Sequence, residues 1–124
     1  MNKALTVIVS IPALLFILVG IGWLLVPSRV AAELGMPLLD GLGGSTQIGD
    51  LGAFFLCGGL IVIIGLVTQK REWFYAAALL LAGAAFFRTA SWVLHDMPFA
   101  TPQVAIEVIL TVLMLFAASR LAKH

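Results

Sequence analysis

The sequence predicts an all-α, membrane-embedded four-helix bundle, and three observations carry that prediction. Charged residues make up 10% of the 124 positions and apolar residues 62%. A soluble domain carries roughly 25% charged residues and could not cover its surface with so few. The apolar residues also gather into four runs, each near the roughly 17–25 residues a helix needs to cross hydrocarbon. Short connections separate the runs, and inside lipid a helix satisfies its own backbone N–H and C=O groups. Nothing suggests a second domain, an internal repeat or a low-complexity tail, so residues 1–124 read as a single transmembrane domain.

The first run, "ALTVIVSIPALLFILVGIGWLLV", covers residues 4–26. It exceeds the roughly 7–15 residues of a signal-peptide core and no clean small-x-small site follows, so it reads as a retained span. Pro12 is expected to bend it and Pro27 to stop it. The next segment, "SRVAAELGMPLLDGLGGSTQ", is the one substantial loop. Ser28 is expected to cap a short helix over residues 29–34, with Gly35 as its stop and Pro37 beyond. Leu34, Met36, Leu38 and Leu39 make this loop apolar enough to lie against the mouth of the bundle. The run "GLGGS" lacks the lysine of a phosphate loop and reads as a flexible lead-in to the second span.

That second span is expected over residues 47–67, the third over 73–94 and the fourth over 102–118. The connection "TQKREW" is tight and charged, whereas "HDMPFATPQ" holds two prolines and Phe99. Trp23, Trp73 and Trp92 fall near span ends, where interfacial anchors sit. Lys3, Lys70, Arg71, Arg120 and Lys123 fall on one side of the membrane and Arg29 alone on the other. The positive-inside bias therefore predicts a multi-pass protein with both termini cytoplasmic.

Three charges interrupt the apolar runs: Asp50 in the second span, Arg88 in the third and Glu107 in the fourth. At about 1.5 Å of rise per residue, all three fall in one layer, the outer third of the membrane. Burying any one alone costs several kcal/mol, and pairing recovers part of that cost. The five-donor guanidinium of Arg88 is suited to bridging both carboxylates. Such a network reads either as a fold-specifying ion pair or as the polar floor of an outward-facing cavity. Arg88, Ser91, Trp92 and His95 share one helical face, and Gln47 and Gln103 lie near the same opening.

Small residues let membrane helices approach closely. Gly49, Gly52 and Gly59 in the second span, and Gly83 in the third, are expected to serve packing between those two spans, a dimer contact being the alternative. Cys57 reads as a buried, inert thiol. Neither a metal constellation nor an axial histidine pair for haem is evident, no nucleophile–base arrangement stands out, and no cofactor is expected. A net charge near +1 offers no surface suited to nucleic acid.

With these residues in place, the chain resembles the small bacterial four-span membrane proteins near the DoxX-like group. The resemblance rests on Pro27, Arg29, Ala32 and Gly35 after the first span, on "IGDLGAFFLCGGL", and on Arg88 late in the third. It implies a bacterial inner-membrane helix bundle. The favoured reading is a non-enzymatic protein that binds a membrane lipid or other hydrophobic small molecule in an outward-facing cavity. The rivals are an accessory subunit of a larger membrane complex and a small proton-coupled transporter working as a homodimer.

Overall fold

The computed structural model describes residues 2–123, in which the regular secondary structure is helical, without a strand. The helices are α1 (Lys3–Leu25), α2 (Pro27–Glu33), α3 (Gly41–Thr46), α4 (Gly52–Thr68), α5 (Arg71–His95) and α6 (Thr101–Arg120). A π-helical turn, Gln47–Leu51, joins α3 to α4 without a break. Four helical segments are long and apolar enough to cross a membrane: Lys3–Leu25, Gly41–Thr68, Arg71–His95 and Thr101–Arg120. Each leaves large apolar side chains exposed, Leu18, Leu60, Leu79 and Ile109 among them, as a lipid-facing exterior requires.

Two expectations about the first loop are corrected. Pro27 is the first residue of α2 and Val26 is its N-cap, so Ser28 does not cap it. Proline suits that position because its missing N–H would have no intrahelical acceptor there. "GLGGST" is not a flexible lead-in but helix α3. Gly44 is needed there because a Cβ would run into the Leu39 carbonyl oxygen. Gly35 does stop α2, with φ +83°. Its N–H donates to the Ala32 carbonyl at 3.0 Å and the Met36 N–H to the Ala31 carbonyl at 2.8 Å, which closes the helix in a Schellman turn.

The chain divides into two compact units, residues 10–63 and residues 2–9 with 64–123. In the first unit, α1 and α4 are antiparallel neighbours. Added Cβ atoms show how near they come: at Gly20 one would lie 2.6 Å from Leu56 Cβ, at Gly59 2.5 Å from the Ala13 carbonyl, and at Gly52 3.3 Å from Trp23 Cβ. Gly52 and Gly59 thus pack on α1. At Gly49 and Gly83 an added Cβ would meet nothing within 4 Å.

Trp23 is fully buried with Val30 and Ala31, and Val19, Leu34, Met36, Leu38 and Phe55 pack around them. It is a core residue rather than an interfacial anchor, because α2 and the apolar loop fold back over it. Its indole N–H has no acceptor among the described residues. Cys57 is exposed on α4 rather than buried.

The second unit is built on an antiparallel pair, α5 and α6. Arg88 meets Glu107 near one end, and at the other the Lys123 N–H donates to the Gln69 carbonyl at 2.7 Å. Phe74, Ala77, Ala78, Leu81 and Ala85 recur at helical spacing along the buried stripe of α5. Met114, Ala117 and Ala118 are buried on α6. The alanines allow close backbone approach, as small residues do between membrane helices.

Candidate functional site

The Arg88 Nε donates to Glu107 Oε1 at 3.0 Å, and this is the one polar contact of the guanidinium among the described residues. Arg88 stands seven residues before the end of α5 and Glu107 six after the start of α6. With about 1.5 Å of rise per residue, both lie roughly 10 Å inside the same end of the hairpin. The short 96–100 connection sets this register. Asp96 closes α5 and Ala100 opens α6, both with φ 57°.

The two partners differ in accessibility. The Glu107 side chain is 10% exposed and the Arg88 side chain 41%. Glu107 therefore faces inward as the buried counter-charge. The two Nη groups of Arg88 keep four N–H donors without a protein acceptor among the described residues. One turn nearer the helix end, Trp92 is half exposed and stands against Phe99, ring centroids 5.0 Å apart at 67°. Ser91 turns its hydroxyl back to the Arg88 carbonyl at 2.8 Å, a local bond on its own helix. His95 and Gln103 are exposed near the ends of α5 and α6.

Gln47 has a different task from the one its position suggested. It is buried, its Oε1 accepts from the Leu39 N–H at 2.7 Å, and its Nε2 donates to the Pro37 carbonyl at 3.0 Å. The Met36 sulfur lies 3.6 Å from the same nitrogen. The amide is committed to holding residues 36–39 across the start of the spanning helix. No periodicity in the sequence signals this, because the partners are backbone groups of a loop. Asp50 lies exposed in the π-helical turn of the unit that Gln47 belongs to, whereas Arg88 and Glu107 belong to the other.

Among the described residues, no group of three or more His, Cys, Asp or Glu side chains is placed to hold a metal ion. What the hairpin offers chemically is a half-exposed cation, neutralised on its inner side and donor-rich on its outer side, beneath an aromatic pair. No family model matches the chain, and neither a curated protein nor a solved structure matches it significantly. The chain is a small multi-span all-α protein with four long apolar helices.

Proposed function

We propose that this is a non-enzymatic membrane protein that binds a lipid-like amphiphile along the polar and aromatic face of α5. The observation that carries the reading is the single-point pairing of Arg88 through Nε, which leaves its outer donors accessible inside an otherwise apolar span. A buried pair serving stability alone gains most from satisfying every donor. Here Trp92, one turn along the same helical face and edge-on to Phe99, adds an aromatic surface to the polar one, as small-molecule sites combine them. The site is accordingly placed on the α5 face, with Arg88 for the polar group and Trp92 for the apolar body.

The same proposal sets the protein in a bacterial inner membrane with both termini cytoplasmic. The resemblance to the DoxX-like group supports the compartment. The orientation is supported by Lys70, Arg71, Arg120 and Lys123, which cluster where the Lys123 N–H meets the Gln69 carbonyl.

Native mass spectrometry of protein extracted gently from its own membrane tests the function. The expected result is a discrete small-molecule adduct that is lost or weakened in Arg88→Lys, which keeps a cation opposite Glu107, while helical content is retained. An adduct-free species, or one held only to a larger protein, would overturn the reading in favour of a structural or accessory subunit.

A further inference from the structure

The geometry points to the chemical class of that ligand: an amphiphile with a single anionic phosphate or carboxylate head. This rests on the α5 face being a binding site, as proposed above. A guanidinium presents two hydrogen-bonding edges, one formed by Nε with one Nη and the other by the two Nη groups. Glu107 takes Nε on the first edge, at 3.0 Å. The second edge carries two parallel N–H groups with no acceptor among the described residues, and 41% of the side chain is accessible. Two parallel N–H donors match the two oxygens of a carboxylate or phosphate far better than a lone hydroxyl or carbonyl.

The surroundings select an amphiphile over a free ion. Along the Arg88 face toward mid-membrane stand Ala84 and then the partly exposed Leu80, at one-turn intervals. Toward the helix end stands Trp92 against Phe99. A head gripped at Arg88 therefore has a small residue beneath it to admit a tail and an aromatic edge above it. Glu107 competes for the same cation, because its carboxylate already neutralises the charge that an incoming anion would meet. The ion pair acts as an internal rival that limits affinity, and weakening it strengthens the ligand.

Binding of dodecyl phosphate to the protein in a neutral maltoside detergent tests this, with inorganic phosphate and dodecanol as parallel probes. Dodecyl phosphate is expected to bind the wild type. Arg88→Lys, which keeps the charge but loses the fork, is expected to weaken it about tenfold. Glu107→Gln keeps an oxygen acceptor for Nε and removes the rival charge, and is expected to tighten it about tenfold. Lys70→Gln, at the far end of α5, controls for general charge attraction and is expected to change nothing. Circular dichroism of each variant establishes that it is folded, and the comparison of Arg88→Lys with Lys70→Gln stands even if Glu107→Gln fails to fold.

Equal binding of dodecyl phosphate by wild type and Arg88→Lys would overturn the assignment, as would weaker binding by folded Glu107→Gln. Inorganic phosphate binding as tightly as dodecyl phosphate would also overturn it, by making the ligand a free ion. Arg88-dependent binding of dodecanol in place of dodecyl phosphate would overturn the anionic class and leave the amphiphile function standing. Binding of neither amphiphile would remove both.

Discussion

Arg88 Nε and Glu107 Oε1 are 3.0 Å apart, yet one side chain is 41% exposed and the other 10%. The asymmetry makes the two halves of the pair unequal under mutation. Arg88→Ala strands a buried carboxylate and is expected to cost about 3 kcal/mol. Glu107→Ala leaves a long cation already half accessible, which can reach toward the headgroups, and is expected to cost about 1 kcal/mol. The double variant buries no unpaired charge and is expected to be more stable than Arg88→Ala alone. Reversible unfolding in mixed micelles checks all three. Equal losses for the two single variants would contradict the assigned burial.

Gln47 ties residues 36–39 to the start of the spanning helix through both ends of its amide. Gln47→Ala leaves the Leu39 N–H and the Pro37 carbonyl without their partner and is expected to cost about 1–3 kcal/mol. The loss is expected to appear locally first. Hydrogen exchange at the Leu39 amide should accelerate in the variant while the amides of α6 keep their protection. Unchanged exchange at Leu39 would show that the clamp is dispensable.

The glycines separate into two classes. Gly20→Ala and Gly59→Ala would drive a methyl to within 2.6 Å of Leu56 Cβ and 2.5 Å of the Ala13 carbonyl. Both are expected to lower the thermal midpoint, because α1 and α4 must separate to accommodate the added atom. Gly83→Ala meets nothing within 4 Å and lies inside α5. It is expected to be neutral or to stabilise by up to about 1 kcal/mol, through helix propensity alone. Parallel melting curves of the three variants decide the matter by the sign of each shift.

Ala100 and Gly35 form a matched pair for backbone strain. Ala100 holds φ 57° as the N-cap of α6, and Gly35 holds φ +83° after α2. A left-handed conformation costs an L-residue roughly 1–2 kcal/mol relative to glycine. Ala100→Gly is therefore expected to stabilise by up to about 1 kcal/mol, since glycine is also a good N-cap but gains entropy when unfolded. Gly35→Ala, which meets no neighbour within 4 Å, is expected to destabilise by about 1 kcal/mol through its φ alone. Chemical unfolding of both variants in one detergent gives the comparison.

The sequence by itself determined that there are four long helices and which charges interrupt them. Those features follow from local quantities: apolar run length, the need of the backbone to satisfy itself in lipid, and the conformational preference of Gly35. It also singled out Arg88, because a permanent cation in an apolar run is costly without a partner and so points to an ion pair or a polar site. Tertiary structure alone decided that the Gly52 and Gly59 stripe meets α1, that Trp23 is interior, that Cys57 is exposed, and that Gln47 is spent on a loop. The physical reason is one of contrast. A soluble helix announces its buried face by setting apolar residues against polar ones. In α1 and α4 nearly every face is apolar, so periodicity says little about which side meets protein and which meets lipid. That choice is made by shape: by where a glycine lets two backbones close to van der Waals distance, and by where a loop folds back to cover an indole.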